Sequence, residues 1–205
     1  MRIFLSFFLC MSVVTAHAQF STNVYRTDQS GQDPGNVIYY SSERPLAWSD
    51  FKGQADPPGP VAALTTSGFG YKAHMTTSNG KGQFNIGVYC FFSKDQSWVR
   101  TGRNTSYILT HEQHHFDVSY IAANIFMDKV RSANLTPSNF NTILPRLYRE
   151  CCDFMNKMQN DYDGQTLNGQ LEDVQKKWNS FFEVKLNLFT GLQPTPVSST
   201  HVARR

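Results

Sequence analysis

From Asn104 to Ala133 the chain runs without a single glycine or proline. Those two residues end helices more surely than any others. Asn104, Thr105 and Ser106 each offer a side-chain oxygen that can cap a helix start. The segment is therefore expected to form one long helix, and the rest of the fold must supply surfaces to cover it.

Upstream, the pattern is extended. Asn36 to Ser41 reads as a short strand after the turn-forming Gly31 to Gly35 stretch. Leu46 to Gly53 leads into Asp56-Pro57-Pro58-Gly59-Pro60, which excludes regular structure. Val61 to Thr77 reads as a strand bent or bulged at Gly68 and Gly70. Asn79-Gly80 is a hairpin signal. Gln83 to Ser93 forms the returning strand, with Phe84, Ile86, Val88 and Cys90 alternating on one face, and Ser97-Trp98-Val99 is a last extended piece.

Downstream, the pattern is helical. Thr136-Pro137 opens a second helix, in which Phe140, Leu144, Leu147, Cys151, Phe154 and Met158 recur every three or four residues. Pro145 is expected to kink or split it, and Asp163-Gly164 to end it. A third helix, from about Asn168 to Phe189, carries Leu171, Val174, Trp178, Phe181 and Leu186 on one stripe. These stripes read as core. No internal repeat is present. The expectation is one α+β domain, a small antiparallel sheet followed by a helical half.

The ends lie outside that domain. Residues 1–18 read as a signal peptide: Arg2, an apolar run from Ile3 to Val14, and Ala16-His17-Ala18 as the cleavage pattern. The run is too short to span a bilayer; a retained N-terminal anchor is the alternative. The folded domain is placed at 19–190 and a flexible tail at 191–205. Export to the periplasm or the extracellular space is the expectation, with no membrane span after cleavage.

Composition excludes several classes. With 40% hydrophobic and 17% charged residues the chain is neither disordered nor membrane-embedded throughout. A formal net charge of +3 is too small to imply nucleic acid or an anionic membrane as partner. Cys90, Cys151 and Cys152 remain after cleavage of the leader, an odd number. Cys90 pairing with Cys151 or Cys152 is open, structural burial is favoured, and the adjacent pair lacks metal-ligand spacing. Oligomeric state is left open.

The long helix carries His111-Glu112-Gln113-His114-His115. Four residues advance a helix by about 400° and about 6 Å, so the imidazoles of His111 and His115 leave one face, one turn apart. They can share a zinc ion at about 2.0–2.1 Å. Glu112, about 100° around the helix, can stand beside the metal without ligating it. From there it can take a proton from an activated water and pass it to a leaving amine. The bland alternative is a helix with fortuitous histidines. His114 faces away from His115, which suits a supporting or an exposed role rather than ligation. Asp117 suits a hydrogen bond that buttresses a neighbouring loop.

A zinc protease site also needs a third protein ligand. The metzincin pattern would have glycine and histidine where this chain has Val118 and Ile121, so that family is excluded. Glu150, Asp153, Asp161, Asp163 and Glu172 are the acidic candidates on or near the later helices, and sequence does not choose among them. Tyr162 could donate to an oxyanion, with packing as the plainer role. Trp48 and Trp98 read as core or hinge residues. No glycine-rich phosphate cradle is present, so zinc is the one cofactor suggested.

Three blocks together resemble a bacterial family of exported zinc-dependent proteases, zincin-like and bearing HExxH, known as domain of unknown function 922. The first is Trp48-Ser49-Asp50-Phe51-Lys52-Gly53 followed by Ala62-Ala63. The second runs from Ser97-Trp98-Val99 through Leu109 to His111-Glu112-Gln113-His114-His115-Phe116-Asp117. The third is Tyr162 to Gly169 followed by Gln175 and Trp178. The resemblance implies a zincin-like fold, zinc as cofactor, His111 and His115 as ligands, Glu112 as the catalytic acid–base, and a peptide or protein substrate. In that family the third block carries Tyr-Asp-x-x-Thr-x-His, whose last histidine is the natural third ligand. This chain has Asn168 there, and an amide ligates zinc poorly. Asp163 and Glu172 are the nearest substitutes. A catalytically inactive binding or interaction protein is the alternative function.

Overall fold

A computed structural model describes residues 19–55, 59–78 and 81–190. The expected signal peptide, the Asp56-Pro57-Pro58 break, the Asn79-Gly80 turn and the expected tail lie outside the described residues. In order the elements are β1 (Gln19–Arg26), β2 (Val37–Tyr39), a 3₁₀ turn (Trp48–Asp50), β3 (Ala63–Leu64), β4 (Ser67–Ser78), β5 (Lys81–Ser93), β6 (Trp98–Val99), α1 (Ser106–Ser132), α2 (Phe140–Thr166) and α3 (Glu172–Thr190). The α+β class expected from the sequence is what these elements form.

β5 is the spine of the main sheet. Phe84, Ile86, Val88, Cys90 and Phe92 alternate along it and are all buried, as a half-buried strand requires. β4 pairs with it antiparallel from Ser78↔Lys81 to Ser67↔Phe92. On its other edge, β2 pairs antiparallel with residues 91–93, and β1 pairs parallel with residues 81–88. The sheet is therefore mixed, which corrects the wholly antiparallel expectation. β1 escapes sequence reading because its apolar positions, Phe20 and Val24, are separated by polar residues along an edge strand. Phe20 stacks on Phe84 with centroids 5.5 Å apart. β3 and β6 form a separate two-stranded ribbon.

α1 lies between the sheet and the other two helices. Val118, Ile121, Ala122, Phe126 and Val130 are each no more than 2% exposed, though they point in several directions. A helix buried all round is an interior helix. Ala122, Phe126 and Val130 join Phe84, Ile86, Phe92 and Leu144 in the core against the sheet. Val118 and Ile121 join Tyr162 and Phe182 in a second cluster against α2 and α3. Fully burying a side chain such as Val118, Ile121, Phe126 or Leu144 contributes about 1.5–3 kcal/mol before entropy is charged against it. Thr105 caps α1, its hydroxyl accepting from the Ile108 N–H at 3.2 Å.

Of the kink or split expected at Pro145, the split does not occur: α2 continues to Thr166. The intrahelical bond Pro145 cannot make would have gone to the carbonyl of Asn141, an exposed residue in the first turn where water can replace it. Nor does the helix stop at Gly164. It ends where Leu167, Asn168 and Gly169 adopt positive φ in succession, at 50°, 53° and 80°, a left-handed run that also delays the start of α3 to Glu172. Cys90, Cys151 and Cys152 are free thiols, the first two buried. No helix among the described residues is long and apolar enough to cross a membrane.

The segment around the 3₁₀ turn braces the start of α1. Trp48 packs on Phe51 at 4.8 Å and its Nε1 donates to the Thr105 carbonyl at 3.2 Å. Trp98 is buried. Asp50 accepts from the Arg44 guanidinium at 2.8 Å and from the Ala47 N–H at 2.8 Å. Gly53 is required, because a Cβ there would lie 2.6 Å from the Asp95 carbonyl oxygen.

Candidate metal centre

The β3–β4 segment runs along the flank of α1 beside the motif. The Thr65 hydroxyl donates to the Glu112 carbonyl and the Ser67 hydroxyl to the His115 carbonyl, each at 3.2 Å. From the opposite side the last turns of α2 cross α1 and bring Asp163 to the two histidines. His111 and His115 are buried, at 4% and 9% exposed.

Asp163 Oδ1 lies 3.1 Å from His111 Nε2 and 3.0 Å from His115 Nε2, and the two Nε2 atoms are 3.3 Å apart. Three donors on a tetrahedral zinc with bonds of about 2.0–2.1 Å sit about 3.3 Å from one another. The triangle has the size zinc needs, and two imidazoles with one carboxylate are a zinc donor set. Among the described residues this is the one group of three or more such side chains placed to hold a metal ion.

Both histidines present Nε2 because their Nδ1 atoms are engaged. Gln159 on α2 donates from Nε2 to the His115 carbonyl at 2.9 Å, so its Oε1 is the end that meets His115 Nδ1, at 2.5 Å. A carbonyl cannot donate, so this amide can be assigned from its partners, and Nδ1 of His115 carries the proton. Gln175 on α3 sets its Oε1 2.9 Å from His111 Nδ1. Supporting hydrogen bonds of this kind orient metal-ligating histidines generally.

The electrostatics follow the geometry. Burial opposes charge on both Asp163 and His115. For Asp163 the hydrogen bonds and charges of His111 and His115 prevail and hold its carboxyl well below the ordinary range. For His115 the hydrogen bond to Asp163 and the charges of Glu112 and Asp163 prevail and raise its pKa. Glu112 is 4% exposed, and its Oε2 has no hydrogen-bond partner. A buried polar oxygen left unpaired costs about 1–3 kcal/mol, more when charged, so Oε2 adds no stability through a protein hydrogen bond.

These side chains open on a cavity of about 980 Å³ bounded by the β3 segment, the first turns of α1, α2 and residues 168–172. His111, Glu112, His115 and Asp163 all line it, as do Asn168 and Glu172. Of the acidic candidates only Asp163 joins the donor triangle. Glu150 pairs with Lys129 and Arg146, Asp161 pairs with Lys157, and Asp153 is exposed. Asn168 is exposed on the cavity wall, its backbone N–H donating to the Asp163 carbonyl at 2.8 Å. Gly169 presses on His111, and a Cβ there would lie 3.2 Å from Nδ1.

His114 and Asp117 take the supporting roles the sequence suggests. His114 stacks on Phe182 at 4.3 Å and sets Nδ1 2.7 Å from Asp117 Oδ2. Asp117 accepts from the Tyr40 hydroxyl at 2.8 Å, tying α1 to the chain after β2. Tyr162 is packing: fully buried, it stacks on His111 at 4.5 Å and does not line the cavity, so the oxyanion role is withdrawn. Gln159 and Asn179 escape sequence reading. The available signal was polar side chains interrupting apolar faces, as Gln175 does ahead of Trp178 and Phe182.

In comparison with known proteins the chain matches no family model, no curated protein and no solved structure.

Proposed function

We propose that the protein is an exported zinc-dependent metallopeptidase, in keeping with its resemblance to domain 922. The observation that carries the reading is the triangle of His111 Nε2, His115 Nε2 and Asp163 Oδ1 with sides of 3.0–3.3 Å. All three donors line the cavity, so a zinc ion held by them would be open to it, as in catalytic rather than closed structural zinc sites.

A zinc ion held there would supply a Lewis acid for a scissile carbonyl and a water of lowered pKa. The chain's own residues do the rest. Gln159 and Gln175 take the Nδ1 protons, which would leave both Nε2 lone pairs free to hold the ion. Asp163 supplies negative charge that offsets the cation. Glu112, with Oε2 free of protein partners, accepts a proton from the attacking water and returns it to the departing amine nitrogen. Water attack and amine departure balance, so no further reactant is needed.

The second reading is a catalytically inactive binding protein, favoured by Asn168 standing where the family carries histidine. Asp163 supplies a third donor without it. The two readings separate on Glu112→Gln. Zinc content near one per chain in both wild type and variant, with peptide cleavage in the wild type alone, supports the peptidase. Zinc in both and cleavage of a peptide library by neither leaves the binding protein. No zinc in the wild type after incubation with the metal sinks the peptidase and leaves the binding protein, with Asn168 marking a lost metal site.

A further inference from the structure

Gln175 is an anomaly of α3. It is 1% exposed, on the face of the helix where Trp178 and the fully buried Phe182 follow. Packing alone would put an apolar residue there, since a buried amide without partners costs about 1–3 kcal/mol. Every polar atom of its side chain is engaged. Oε1 meets His111 Nδ1 at 2.9 Å, and Nε2 meets Tyr162 Oη at 2.5 Å and Asn179 Oδ1 at 2.7 Å.

We infer that Gln175 and Asn179 are positioning residues of the metal centre, Gln175 taking the Nδ1 proton of His111 and Asn179 holding that amide the right way round. The inference rests on the zinc reading above. A neutral imidazole carries one proton, and the partner of one nitrogen decides which nitrogen has it. Reversing the Gln175 amide would put a donor against Nδ1. The His111 proton would then move to Nε2 and point at Asp163 Oδ1, where the metal must bind.

The two histidines are held differently, and this is why Asn179 matters. The Gln159 amide cannot reverse, because its Nε2 faces a backbone carbonyl. Gln175 has no such anchor: Tyr162 Oη both donates and accepts. The acceptor that faces its Nε2 beside Tyr162 is Asn179 Oδ1, 2.7 Å away. Behind it stands His114, with Nε2 3.0 Å from Asn179 Oδ1 and Nδ1 on Asp117. Asp117 Oδ1 accepts from Gln113 Nε2 at 3.0 Å, and Gln113 Oε1 is fixed by the Leu46 N–H at 2.8 Å. A chain of hydrogen bonds thus leaves the metal face of α1, passes through α3 and returns to the far side of α1.

The test is zinc affinity by competition with a chromophoric chelator on the purified full chain, with thermal unfolding of each metal-free form alongside. Gln175→Met keeps the volume and removes the acceptor, and is expected to bind zinc about 10–100-fold more weakly. Gln175→Glu accepts from Nδ1–H and is expected to recover most of that loss, which a merely structural residue would not allow. Asn179→Asp can only accept and is expected to bind zinc as tightly as wild type, whereas Asn179→Leu loses affinity. Asn179 is only partly buried, so this second pair decides the matter if Gln175→Met fails to fold. Wild-type affinity in both Gln175→Met and Asn179→Leu overturns the inference, as does equal loss in Gln175→Glu and Gln175→Met with both folded. A wild type that takes up no zinc overturns the metal reading itself and this inference with it.

Discussion

His111 and Asp163 stand 52 positions apart in the chain, yet Nε2 of the one lies 3.1 Å from Oδ1 of the other. The same carboxylate oxygen is 3.0 Å from His115. One short side chain from α2 thus closes the triangle that the motif on α1 begins, and α2 is placed by packing far from the site, through residues such as Leu144 and Leu147 against the sheet-side core. The metal centre is a product of helix crossing as much as of the motif.

Asp163→Asn follows directly from that contact. The amide is nearly isosteric but is a poor zinc ligand. Zinc affinity is expected to fall by more than about 100-fold, since even the outer hydrogen-bond partners of such ligands are worth 10–100-fold. Asn168→His places an imidazole on the cavity wall and is expected to recover part of that loss in the Asp163→Asn background. Chelator competition measures both, and unchanged affinity in Asp163→Asn would remove Asp163 from the site.

Gly169 makes a sharper demand on the backbone. Its φ of +80° is one that side chains rarely adopt, and a Cβ would crowd His111 Nδ1 at 3.2 Å and Cγ at 3.3 Å. Gly169→Ala is expected to cost about 1–3 kcal/mol of stability and to weaken zinc binding by pushing the imidazole. Denaturant unfolding reads the first and metal competition the second. A variant as stable as wild type would mean that the 167–169 turn relaxes without strain.

Much of this was legible in advance, for identifiable reasons. The alternation of Phe84, Ile86, Val88 and Cys90 gave β5, and the absence of Gly and Pro after Asn104 gave α1, because both are local signals. The His111/His115 pair was readable because a helix fixes its own spacing. β1 was not, since its parallel pairing with β5 joins segments about sixty positions apart and its residues are half polar. The choice of Asp163 over Glu150 or Glu172 was not, since it depends on where α2 crosses α1. The end of α2 was misplaced because Gly164 looked like a terminator, whereas the left-handed run at Leu167 and Asn168 uses residues with no strong signal for it.

The metal-free contribution of this site and the stabilisation that zinc adds are expected to respond to pH with opposite signs. The pKa of Asp163 is lowered in the folded state, so its contribution is present above its ordinary value of 3.8 and lost as pH falls through the lowered value. That of His115 is raised, so its contribution is full below its ordinary value of 6.5 and lost as pH rises through the raised one. The share of metal-free stability due to this pair is therefore greatest between those two ordinary values and declines above 6.5. Zinc must displace the His115 proton, so the stabilisation it adds grows over the same rise. Melting temperature against pH, with and without excess zinc, should give curves that diverge as pH increases. Parallel curves would show that the metal does not compete with that proton.

Glu112 sets function against stability within one side chain. Its buried Oε2 has no hydrogen-bond partner, and the Glu112 charge raises the pKa of His115. Glu112→Gln removes the charge and keeps the shape. In the metal-free protein at a pH above the raised pKa of His115, the charge has no cation to offset it there, and only its desolvation remains. The variant is then expected to be more stable by about 1 kcal/mol, which for a domain of this size is a rise of about 2–4 °C in melting temperature. Peptide cleavage is expected to fall by about 10²–10⁴-fold or more, the usual worth of a positioned proton carrier. Zinc affinity should change little, since Glu112 is not one of the three donors. A variant that melts lower than wild type would mean that the unpaired oxygen is satisfied by ordered water, and that its solitude is no sign of a catalytic task.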